Sequence, residues 1–272
     1  RLSVIVVTGM LLFMTDIRGA YVGAGAMALA VLCEAIATRV MASGTLKKLL
    51  QHDDKENCSM RLRSIARFYY PLALTSILSL GVHPFVTFFL GRSYMAVESL
   101  AVLPVVSSLV FIFRSMGLSY QEVNIALIGE RKQNYRMLRN YAIYLGIVVT
   151  LLISVLAFTP LANLWFINIS GLSKELADLS YLPLKILILH PALTVLLNFQ
   201  RSSLIINGTT GPISLATAIE LIGIIAVLLV CVVFLNLAGV IAASIAFMIG
   251  RCLSNLYLTP KLLSVAKAWK LQ

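Results

Sequence analysis

Ten ionisable residues fall inside long apolar runs of this chain: Glu34, Arg39, His83, Arg114, Glu122, Lys185, His190, Arg201, Glu220 and Arg251. Charged side chains in such surroundings are costly, and they face one another, an aqueous path or a ligand rather than lipid. The chemistry these types offer is non-covalent. A buried guanidinium is either a partner for a carboxylate or a docking point for an anion, which its planar fork meets with paired hydrogen bonds. Signatures of covalent or nucleotide chemistry are missing: the chain has no Walker A loop, GxSxG or HExxH and no paired catalytic carboxylates. It is therefore expected not to be an enzyme.

Spacing sorts these residues. Arg114 and Gln121 are seven apart, on one helical face with Gly117 between them, and Glu122 is one step round. Lys185 is followed by His190, Thr194, Asn198 and Arg201 at i, i+4, i+8 and i+11, a polar stripe on a helix otherwise rich in Leu and Ile. His190 precedes Pro191 and is either a protonation switch or a hydrogen-bonded packing residue. Arg201 lies near the end of its run, where it either completes the stripe or anchors at the boundary. Arg114, Gln121, Glu122, Lys185, His190, Asn198 and Arg201 are the candidate binding residues, and their charge leans positive. A shared cleft would favour an anion. Glu220 and Arg251 lie at matching depth on consecutive helices, about 12–14 Å from one end at the helical rise. They are expected to form a structural ion pair, although Ser214, Thr217 and Glu220 also recur at i+3 as a stripe that could line a path. Arg39 is expected to snorkel, while Glu34 pairs with it or faces a cavity.

The elements that position these residues follow from composition. The chain of 272 residues is 60% hydrophobic and 12% charged, with mean hydropathy +0.93. Soluble domains carry about 25% charged residues. The apolar runs approach the ~20 residues that cross a hydrocarbon core, and they do not alternate with period two. The fold class is all-α polytopic membrane protein, with about eight transmembrane helices near 1–15, 20–43, 63–90, 97–128, 138–165, 176–207, 212–235 and 238–260. Pro71 and Pro84 bracket the third, Pro104 lies in the fourth, and Pro183 and Pro191 lie in the sixth. Proline bends a span, and the freed backbone is tolerated where neighbours or a cavity satisfy it. The sixth helix is too long for an upright crossing, so kinks and tilt are expected there.

Two apolar runs precede the basic stretch Thr45–Arg67, and six follow it. This stretch holds Lys47, Lys48, Lys55, Arg61, Arg63 and Arg67. The loop after the fourth helix holds Arg131, Lys132, Arg136 and Arg139, and the tail Lys261, Lys267 and Lys270. The alternate loops carry only Arg18, Arg92 and Lys174. The positive-inside rule therefore predicts a cytoplasmic linker and C-terminus. It also accounts for the net charge of +11, so no nucleic-acid partner is expected. The linker reads as an amphipathic surface helix or a solvated connection. Its His52, Asp53, Asp54 and Glu56 have no second ligand cluster, so no metal is expected. Cys33, Cys58, Cys231 and Cys252 form no CxxC pair, and three of them read as small buried hydrophobes. The first run, Leu2–Met14, is short for a span and there is no initiator Met, which suggests a helix cut by truncation.

Several stretches carry a family resemblance: RFYYPLALTSILSLGVHPFVTFFLGR, SLAVLPVVSSLVFIFRSMGLSYQEV, PLKILILHPALTVLLNFQRSSLIINGTTGPISLATAIELIGI and NLAGVIAASIAFMIGR. Together they resemble the C-terminal lobe of the MOP superfamily, which includes MATE multidrug exporters, polysaccharide and lipid-II flippases and ANK-like proteins, the last being the nearest in style. The pattern covers roughly 20–262. The resemblance implies two six-helix bundles about a pseudo-twofold axis, with alternating access around a central cleft. Residues 1–44 would be the last two helices of a truncated N-terminal lobe, 45–62 a cytoplasmic linker, 63–262 the C-terminal six-helix lobe and 263–272 a cytoplasmic tail. One departure bears on coupling: many MATE exporters use acidic cleft residues for Na⁺ or H⁺, whereas the third helix here offers Ser76, Ser79 and His83 without a carboxylate.

The expected function is a secondary transporter moving a small anionic or lipid-linked substrate across a bacterial inner membrane. Its partners would be that substrate, the bilayer and the other lobe. No cofactor is expected beyond a coupling ion, Na⁺ or H⁺. The alternatives are a polytopic protein without transport, such as a scaffold or insertion partner, and a membrane-embedded enzyme acting on a lipid-linked substrate.

Overall fold

The computed structural model describes residues 19–51, 62–128 and 134–270. The first predicted helix, the linker's candidate metal cluster, and Arg131 and Lys132 lie outside them. Eight helices of more than one turn form among the described residues: α1 (Gly19–Gln51), α2 (Leu62–Leu90), α3 (Ala96–Leu127), α4 (Tyr135–Phe158), α5 (Lys174–Ile186), α6 (His190–Ile206), α7 (Gly211–Leu229) and α8 (Gly239–Lys270). The same residues form no strand, only an isolated bridge between Tyr94 and Ala238. Among the described residues six spans, with α5 and α6 forming one, are long and apolar enough to cross a membrane. The chain is an all-α polytopic membrane protein.

Two compact units divide at residues 59 and 60. In the first, α1 continues to Gln51 rather than ending near residue 43, so the start of the linker is helical. Its side chains from Val31 to Gly44 are exposed, Glu34 and Arg39 included. Thr38 Oγ1 donates to the Glu34 carbonyl at 2.8 Å. The second unit holds α2 to α8.

Proline sets two of the breaks in this bundle. α4 stops at Phe158, short of the predicted residue 165, because Thr159 precedes Pro160 and adopts an extended conformation (φ −116°, ψ 163°). A short helical turn, Leu161–Asn163, and a wide turn, Leu164–Ile169, follow. The second break separates α5 from α6. Pro191 has no N–H to offer the Leu187 carbonyl four residues back. The His190 N–H takes that carbonyl instead, and Leu187–Leu189 tighten into a 3₁₀ turn. By contrast α8 passes through Pro260 and continues to Lys270, so the expected tail is helical as far as that residue.

The outer surface is apolar, as lipid requires: Ile222, Phe234 and Leu256 are all largely exposed. Without a hydrophobic force between helices in lipid, close packing and internal hydrogen bonds hold the bundle. The broadest helix contacts are α3 with α6 and α7 with α8. At the first, a Cβ on Gly117 would stand 3.0 Å from Val195 Cγ2 and 3.1 Å from its backbone nitrogen. That approach lets Asn198 Nδ2 donate to the Gly117 carbonyl at 2.9 Å. One turn on, the Asn124 amide bonds the Ser202 hydroxyl, and Tyr120 Oη donates to the Leu138 carbonyl at 2.8 Å. At the second contact, a Cβ on Gly250 would meet Ile224 Cγ1 at 2.6 Å and the Glu220 carbonyl at 3.0 Å. Asn255 Nδ2 ties α8 to α6 through the Leu193 carbonyl at 3.2 Å.

Gly117→Ala drives a methyl into the Val195 backbone and is expected to cost about 1–3 kcal/mol, read as a lower unfolding temperature in detergent. Gly81→Ala, where nothing lies within 4 Å of the added Cβ, is expected to leave that temperature unchanged or raise it slightly.

Candidate functional site

A polar cavity of about 300 Å³ opens in the bundle between α2, α3, the α5–α6 break, α6, α7 and α8. The break contributes Leu187 to its lining. His190 stands at the first residue of α6, and Thr194, Asn198 and Arg201 follow down the same face into the cavity wall. Thr194 Oγ1 donates to the His190 carbonyl at 2.9 Å, an internal bond near the proline break. Opposite, α3 contributes Ser107 and Arg114, and the Gly117–Val195 contact packs α3 against α6 just beyond Arg114. α2 contributes Ser79 and His83, α7 Thr217 and Glu220, and α8 Phe247 and Arg251.

Three guanidinium groups thus share one small space with a single carboxylate. Each has a different environment. Arg251 Nη2 lies 3.0 Å from Glu220 Oε1, and both side chains are 11% exposed. The close approach at Gly250 brings the two helices near enough for this pair. Arg201 Nη2 donates to Thr217 Oγ1 at 2.8 Å, while Thr217 itself donates to the Ile213 carbonyl at 3.1 Å. Among the described residues Arg114 makes no hydrogen bond or ion pair, and its Nε is buried without a partner. The Nε atoms of Arg201 and Arg251 and Nδ1 of His190 are buried and unpartnered in the same way. A partnerless charge in low dielectric is costly, so such a site favours any anion that can reach it.

Of the residues singled out by spacing, the cavity gathers Arg114, His190, Asn198 and Arg201. Gln121, Glu122 and Lys185 are not among its lining residues. Gln121 does share a helical face with Arg114, but it lies past Gly117, where α3 is packed against α6. Glu122 is exposed. Lys185 is exposed on α5, five residues and so well over a quarter turn from the His190 face, and its ammonium lies 5.6 Å from the centroid of the Phe158 ring. Two readings shift. Arg201 is no boundary anchor, because its guanidinium turns inward to Thr217. Glu220 and Arg251 pair, and they also line the cavity together with Thr217; Thr217 and Glu220 are two of the three residues of the i+3 stripe on α7. Ser107 was missed, having no periodic signal of its own. Ser79 and His83 were visible only as the polar residues of an otherwise apolar span.

No family of proteins, characterised protein or solved structure matches this chain. What the site can do therefore rests on its own geometry.

Replacing either Glu220 or Arg251 by the other's type leaves like charges facing each other and is expected to cost about 3 kcal/mol. The double exchange, Glu220→Arg with Arg251→Glu, is expected to recover roughly 1–2 kcal/mol of the summed loss in detergent unfolding. Strict additivity of the two single effects would show that the pair contributes no coupling.

Proposed function

We propose that the α2–α8 bundle is one lobe of a secondary transporter that moves an anion across the membrane by alternating access. The observation that carries this reading is Arg114, a guanidinium in a polar cavity within the spans that has no partner among the described residues. A cation kept only for packing would be expected to hold a carboxylate, as Arg251 holds Glu220. Arg114 instead offers its donors to whatever enters, with Arg201 of α6 lining the same cavity and adding a second charge. An oxyanion, whether a free carboxylate or phosphate or the headgroup of a lipid-linked molecule, matches such donors.

In this reading the chain is of the MOP type, and a second six-helix bundle closes over the side of the cavity bounded by α2. The character of α2 suits an inter-lobe face: Tyr70, Ile77 and Leu80 are exposed beside the cavity-lining Ser79 and His83. Rocking of the two bundles would present the cavity to one side and then the other. The basic ends of the helices face the cytoplasm of a bacterial inner membrane, following the charge bias of the loops. Coupling through a cation bound on α2 is disfavoured, since its cavity residues carry no carboxylate and Glu220 is already held by Arg251.

The full-length protein in proteoliposomes, tested with labelled phosphate, dicarboxylate and tricarboxylate, is expected to take up at least one of these anions. Arg114→Ala is expected to lower that uptake roughly tenfold or more, the loss of one charge-assisted contact, with little change in unfolding temperature. Uptake unchanged by the substitution would contradict the reading.

A further inference from the structure

A second recess of about 810 Å³ lies between α4, α6 and α8, separate from the polar cavity. Small residues, Ala142, Gly146 and Ala192, thin the helices here, and a Cβ on Gly146 would already be in van der Waals contact with Ala192 at 3.6 Å. The remaining lining is mostly Leu and Ile, with Thr150, Phe199 and Ala266, except toward one end, where Tyr135, Arg139 and Lys267 stand at the N-terminal end of α4 and the C-terminal end of α8. Arg139 and Lys267 are exposed. Among the described residues no carboxylate pairs with either; Arg139 Nη2 reaches only the Asn140 side-chain oxygen at 3.4 Å. An apolar trough with two cations at one mouth that no described carboxylate pairs has the polarity of a lipid that carries a negative headgroup.

We propose that this groove is a binding site for one anionic phospholipid. An acyl chain lies along the trough over Gly146, and the phosphate sits at the end bearing Arg139 and Lys267. The groove selects by headgroup. A phosphatidylcholine fills the trough equally well, but its own ammonium already offsets its phosphate. The site does not depend on the transport reading, since neither cation lines the polar cavity.

Native mass spectrometry of the whole protein, delipidated and then offered equal phosphatidylglycerol and phosphatidylcholine, tests this directly. The wild type is expected to retain phosphatidylglycerol with roughly tenfold preference or more. The double variant Arg139→Gln/Lys267→Gln is expected to lose that preference while unfolding at the same temperature. A control that removes two exposed charges elsewhere, Arg92→Gln/Lys174→Gln, is expected to keep it. Equal retention of the two lipids by the wild type would overturn the proposal. So would a preference that survives loss of Arg139 and Lys267, or one that the control abolishes.

Discussion

Everything in this bundle is arranged around an unbalanced charge: three guanidinium groups and one carboxylate held inside an apolar helical bundle. Lipid solvates neither sign, so each group must find a protein partner, water or a ligand. Arg251 has found Glu220 and Arg201 has found Thr217. Arg114 makes no hydrogen bond or ion pair among the described residues, and the residual positive charge is the property on which the functional reading turns.

Backbone geometry makes that arrangement possible. Pro191 denies the Leu187 carbonyl its usual donor, the chain tightens over Leu187–Leu189, and α6 restarts with His190 in the cavity wall. Gly117 then lets α3 meet α6 closely enough for Asn198 to bond its carbonyl, which packs the two helices together beyond Arg114. Gly250 does the same for α7 and α8, where the ion pair forms. Two glycines and one proline thus convert a row of apolar helices into a bundle with a defined polar interior.

Much of this was legible in the chain before any coordinates. Hydropathy located α2, α3, α7 and the broken α5–α6 span to within a few residues, because hydrocarbon demands long apolar helices and proline and glycine punctuate them. The stripe His190, Thr194, Asn198, Arg201 was readable because a regular helix carries i+4 neighbours to one face. What failed were inferences that assumed a helix continues unchanged. Gln121 has the right angle but lies where α3 is already packed against α6. Lys185 precedes His190 by five residues, a spacing that puts it on a different face from the stripe, and it is exposed. The end of α4 at Phe158 was set by Thr159 and Pro160, a local rule that an apolar run conceals. The Glu220–Arg251 pair was foreseeable from depth and the i+3 stripe already offered Glu220 to a path, whereas the place of Arg251 in the cavity wall depends on how α8 packs against α7, which no single-helix pattern encodes.

The central claim is that the cavity accepts an anion at Arg114. Anomalous diffraction from crystals equilibrated with selenate tests it most directly. The account predicts a selenium peak within the polar cavity, its oxygens in hydrogen-bond reach of the Arg114 guanidinium. Saturating selenate that leaves the cavity without a peak, with Arg114 held instead by a protein carboxylate, would contradict it.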